Sequence, residues 1–98
     1  MTSRGERRRE QRISASEMGH IHVLNPFQEG TLVVRMLDRS TDGLSIRMGR
    51  SVAPGTLVQV RLKETVVLGA VRYCVRAEGA FRIGILIESS MPLKPRPR

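Results

Sequence analysis

Two short groups of residues carry side chains suited to gripping phosphates and purine edges. The first is Arg8-Arg9-Glu10-Gln11-Arg12, which sets two arginines four positions apart in an arginine-rich stretch. The second is Asp38-Arg39-Ser40-Thr41-Asp42-Gly43, 26 positions after Arg12, which groups a carboxylate, a hydroxyl and a glycine. A guanidinium is planar and donates paired hydrogen bonds to phosphate oxygens. The same fork pairs with the O6 and N7 edge of guanine, or stacks flat on a base. In extended chain, residues four apart are separated by roughly 13 Å. Two such arginines suit opposite ends of a compact ligand that holds both phosphates and guanines.

Asp38 can accept from a guanine N–H edge or hold an arginine in place. Ser40 can donate to a phosphate. Gly43 tolerates positive φ and lets backbone approach a ligand closely. Each group also has a plainer reading. Arginine runs are commonly solvated tails. Asp and Ser in turns commonly bond to neighbouring backbone.

The chain has 98 residues, enough for one small domain. Its three aromatics are Phe27, Tyr73 and Phe81, so the core must be built from Val, Ile, Leu and Met. Of the net charge of +8, residues 1–12 carry +3 and residues 89–98 carry another +3. The body between them is close to balanced. Residues 1–13 read as a flexible arginine-rich arm, and residues 89–98, with Pro92, Pro95 and Pro97, as a disordered tail.

Between them the hydrophobic period is two, the signal of strands. His20 to Leu24 opens the pattern, and Asn25-Pro26 and Glu29-Gly30 mark a loop. Thr31 to Leu37 is β-branched and apolar, and Asp38 to Gly43 is a turn. Leu44, Ile46 and Met48 alternate with polar residues, as do Val58, Val60 and Leu62 beyond the Pro54-Gly55 turn. Val66 to Arg76 and Ala80 to Glu88 flank the Glu78-Gly79 turn. Residues 14–88 are therefore expected to form an all-β, six-stranded antiparallel barrel, which leaves no open sheet edge. Gly69 and Gly84, inside strands, mark bends or bulges.

Other chemistry finds little support. His20 and His22 share a strand face without a third ligand at metal spacing, so no metal site is expected. Cys74 sits in an apolar strand as a buried structural thiol. Asp38 and Asp42 lie among arginines with no general-acid pocket, and Ser40 lacks a nucleophile elbow, so the chain does not read as an enzyme. Met18, Met36 and Met48 read as core filler. A lone cysteine fits a reducing cytoplasm. No apolar run approaches the roughly 20 residues that span a bilayer.

The order of R-x-x-x-R, strands, D-x-S-x-x-G and an all-β remainder resembles the PilZ family, the bacterial receptor module for cyclic di-GMP. The likeness covers roughly residues 7 to 88 and extends to Gly43-Leu44-Ser45-Ile46, Pro54-Gly55-Thr56 and Arg82-Ile83-Gly84-Ile85. It implies that Arg8 and Arg12 bind the phosphates and guanines of cyclic di-GMP, and that Asp38, Ser40 and Gly43 complete the site. Arg7 stands where the family's residue influences one bound nucleotide versus a stacked pair. Arg4 and Arg8 form a second R-x-x-x-R register; Arg8/Arg12 is preferred because Ile13 can begin the ordered chain directly after it. The C-terminal helix of many members has no counterpart here.

The expected function is a cytoplasmic cyclic di-GMP receptor, with no other cofactor, whose arm orders on the ligand and signals to a separate output protein. Two alternatives stay open. One is a basic barrel that binds single-stranded nucleic acid, disfavoured because such barrels stack bases on exposed rings and aromatics are scarce. The other is a nucleotide-independent interaction module.

Overall fold

The computed structural model describes residues 16–93. Arg7, Arg8 and Arg12 lie outside the described residues. Six strands form: β1 (Glu17–Asn25), β2 (Leu32–Arg39), β3 (Gly43–Met48), β4 (Leu57–Arg61), β5 (Thr65–Ala77) and β6 (Ala80–Pro92). Every pairing is antiparallel, in the order β1-β2-β3-β6-β5-β4, and β4 returns to β1 to close a barrel. The fold class expected from the period-two pattern is the one observed.

Alternation explains the interior. Ile21 and Val23, Val34 and Met36, Leu44, Ile46 and Met48, Val58 and Val60, Val67 and Val71, and Ile83 and Ile85 all point inward. Aliphatic side chains alone fill the buried core, with Phe81 packed at its border. Ile46, Val58, Val60, Val67 and Ile83 are wholly excluded from solvent. Burying a side chain of that size contributes roughly 1.5–3 kcal/mol, so this interior is the main source of stability.

Glu78 and Gly79 both have positive φ, 49° and 79°, between the paired Ala77 and Ala80. Two such central residues make a tight turn whose twist matches the strands it joins. Gly69 and Gly84 accompany register shifts in the β5–β6 ladder, at Leu68/Gly69 and at Val71/Tyr73. A side chain at Gly69 would collide with the Leu86 carbonyl oxygen, so the barrel bends where only glycine fits.

The structure corrects several boundaries. Strand β6 runs to Pro92 rather than stopping at Glu88. Ser89 to Pro92 pair with Leu68 to Thr65, and Leu93 N–H donates to the Glu64 carbonyl at 2.9 Å. The start of β5 needs a partner on that side, and a proline at the strand end removes no needed donor. Strand β1 begins at Glu17, three residues before His20. Met18 faces outward at 52% exposure and is not core, unlike Met36 and Met48. Cys74 is half-buried rather than fully enclosed.

Candidate functional site

Strand β2 reaches Arg39, so Asp38 belongs to a strand and the turn shrinks to the residues around Thr41 and Asp42. Plain alternation after Val34 and Met36 would point Asp38 into the barrel. It does not, because the register shifts between Met36 and Asp38: Met36 pairs with Ile46, and Asp38 pairs with Ser45. Leu37 is the extra residue of a β-bulge, a device that re-aims side chains. Asp38 is thereby turned to the outer face.

A second bulge does the same on the far side. Val71 pairs with Ile85, but Tyr73 pairs with Gly84, which leaves Arg72 as the extra residue. Tyr73 is moved off the inward face of Val71 and onto the outside. Since Ser45 also pairs with Gly84, four residues form one row across β2, β3, β6 and β5: Asp38, Ser45, Gly84, Tyr73. Three ladder spacings separate its ends, about 14 Å. The two middle members are small, so the row is a trough with a carboxylate at one rim and an aromatic ring at the other.

That trough is the floor of an open cleft of about 240 Å³. Asp38, Ser40 and Gly43, the described members of the sequence-predicted site, all line it. The β2–β3 turn is fixed by Ser40 N–H donating to the Gly43 carbonyl at 2.8 Å and by Ile87 N–H donating to the Asp42 carbonyl at 3.0 Å. The Ser40 hydroxyl lies 3.4 Å from the Asp42 carboxylate, a long contact that a ligand group can replace. Gly43 does not have positive φ; only Gly30, Gly55 and Gly79 do among the described glycines. Its role is space: a Cβ there would stand 3.6 Å from Ser40 Oγ, inside the cleft.

Four polar or aromatic cleft residues were not among the expected site residues. Asp42 adds a second carboxylate at the turn, and Ser45, 6% exposed, accepts from Arg82 Nε at 3.3 Å. Arg72 and Tyr73 supply the other wall. Tyr73, a member of the expected Val66 to Arg76 strand, is 42% exposed, and part of its ring (Cδ2, Cε2, Cζ) fills the place of a Gly84 side chain. The signal that could have found it is Gly84, a glycine in a strand where another group approaches closely.

Among the described residues the cleft offers two carboxylates, two serine hydroxyls and one guanidinium beside the tyrosine ring. Carboxylates accept from the N–H edge of guanine but repel phosphate. This wall alone suits a base better than a phosphate. His20 and His22 lie on β1, away from the cleft, where His22 meets Phe27 edge-on at 5.4 Å between centroids. Among the described residues, no three His, Cys, Asp or Glu side chains gather around a metal position, and no helix is long and apolar enough to cross a membrane.

Compared with known proteins, the chain matches the family model of the PilZ domain over residues 6–94. No curated protein matches it.

Proposed function

This chain belongs to the PilZ domain family, whose members are generally cyclic di-GMP receptors, and from that premise we propose that it binds cyclic di-GMP in the cleft of Asp38, Ser40 and Gly43. The observation that carries this reading is the β2 bulge. It breaks a ladder to bring Asp38 outward, into the same cleft as Ser40 and Gly43.

In this reading Asp38 receives guanine N–H groups or steers an arginine, and Ser40 donates to a phosphate. Arg8 and Arg12 bring the positive charge that two carboxylates cannot. The cleft of about 240 Å³ falls below the roughly 300–1,000 Å³ of pockets that enclose small ligands, which fits a half-site closed by further residues. Reach supports the pairing. Glu17 pairs with Met36, two residues along β2 from Asp38, and the Ser16 hydroxyl accepts from Arg35 Nη1 at 2.6 Å. Arg12 precedes Ser16 by four residues, a span of up to about 14 Å.

Magnitudes favour a switch. Fixing the five residues from Arg8 to Arg12 costs on the order of 5–10 kcal/mol of backbone entropy. Hydrogen bonds to charged groups return about 1.5–3 kcal/mol each. Several must form together, so the arm orders only with the nucleotide, and the ordered arm is what a separate partner protein reads. Arg7, next to this clamp, bears on whether one nucleotide or a stacked pair is held.

The test is calorimetric titration of the full chain with cyclic di-GMP, cyclic di-AMP and GTP, repeated on Arg12→Ala. Selective binding of cyclic di-GMP that Arg12→Ala nearly abolishes is expected. Equal binding by parent and Arg12→Ala would end the clamp, and no binding to any nucleotide would end the receptor reading.

A further inference from the structure

Resting on the receptor reading above, we propose that Arg72 and Tyr73 form a second wall of the nucleotide site. Tyr73 is a stacking platform for one guanine, and Arg72 is a phosphate donor beside it. No part of either nucleotide-binding motif supplies these residues.

Three observations converge. Tyr73 ends the row that begins at Asp38, so ring and carboxylate face each other across the same trough. The ring rests on Gly84 on one side yet is 42% exposed, which leaves it presented rather than buried. A core-filling role would have kept Tyr73 in the inward register of Val71; the bulge at Arg72 removes it from that register. Arg72, the bulged residue itself, is exposed and lines the same cleft as Asp38 and Asp42. A bulge beside a site commonly aims a side chain at it.

The chemistry is complementary. Bases stack on aromatic faces, and a guanidinium takes phosphate oxygens in paired bonds. A ligand with two purines joined by phosphates can place one base on Tyr73 while the other meets the Asp38 rim, about 14 Å away. Arg72, next to Tyr73 on the β5 wall of the same cleft, then supplies a guanidinium to the linking phosphates.

The chain contains one tyrosine and no tryptophan, so its intrinsic emission reports Tyr73 alone. The test follows that emission and calorimetry together as cyclic di-GMP is added to the full chain. N-acetyltyrosinamide in the same ligand corrects for absorbance. Quenching that saturates with the calorimetric isotherm is expected. Tyr73→Phe should bind within about twofold of the parent, because it keeps the ring. Tyr73→Leu should bind roughly 5- to 150-fold more weakly, and Arg72→Gln roughly tenfold or more, with a reduced salt dependence. Urea midpoints of the variants show whether each is folded; the parent's emission decides the platform even where Tyr73→Leu is not. Emission unchanged at saturation overturns the platform, whatever the affinities. Arg72→Gln binding like the parent removes Arg72 from the wall. A parent that binds no cyclic di-GMP fails the receptor reading itself, and this wall with it.

Discussion

Asp38 and Tyr73 stand at opposite ends of one cross-strand row, with only Ser45 and Gly84 between them. Each is turned outward by a bulge in its own strand. The cleft is thus a product of two of the barrel's ladder defects and two small residues.

Gly84 is the more demanding of those small residues. A methyl group there would fall within the Tyr73 ring, 2.8 Å from Cδ2. Gly84→Ala should therefore displace the ring and lower stability by about 1–3 kcal/mol, the usual cost of overpacking. In a Tyr73→Ala background the same substitution should cost little. Urea denaturation of the four proteins measures the coupling, and equal costs in both backgrounds would show that the ring does not occupy that space.

Gly69 should be less forgiving, because its neighbours cannot swing away. The obstacle is the backbone oxygen of Leu86, joined by Ile85 Cγ2 at 2.8 Å. Gly69→Ala should destabilise the barrel more than Gly84→Ala does. With total stability of about 5–15 kcal/mol for a domain, the shift in urea midpoint should be large. A midpoint unchanged by Gly69→Ala would mean that β6 yields there at no cost.

The period-two pattern made the barrel legible because aliphatic residues alternate through nearly every strand. Asp38, Ser40 and Gly43, singled out because their types and spacing suit a ligand turn, line one cleft. The bulges were not. Leu37 and Arg72 look like ordinary strand residues, and a bulge is decided by pairing across strands rather than by the residue that forms it. Reading Tyr73 as a strand residue was correct, but its face could not be assigned without that pairing. The C-terminal boundary failed for a related reason. Three prolines suggested a tail, yet the demand of β5 for a partner draws Ser89 to Pro92 into the sheet.

Truncation after Glu88 tests that last point. It removes the partners of Thr65 to Leu68 and leaves this stretch of β5 paired only on its β4 side. The shortened chain should unfold at lower urea and associate through the exposed edge, as unpaired strands do. Sedimentation velocity and urea titration report the two effects. Parent-like behaviour in both would show that Ser89 to Pro92 add nothing to the sheet.

Gly43 separates fold from binding. Its φ is not positive, so a side chain costs no backbone strain, and an added Cβ meets Ser40 Oγ at 3.6 Å and the Ile85 oxygen at 3.9 Å, ordinary contacts. Gly43→Ala should leave stability within about 1 kcal/mol of the parent, given the modest penalty range of strand propensities. Gly43→Val should also fold, since β-branched residues suit a strand, but its two methyl groups would occupy the cleft between Ser40 and Ile85. Its affinity for cyclic di-GMP should fall at least tenfold, about 1.4 kcal/mol, while its urea midpoint stays near that of Gly43→Ala. Should Gly43→Val bind the nucleotide as the parent does, the ligand must sit elsewhere than in the trough between Asp38 and Tyr73.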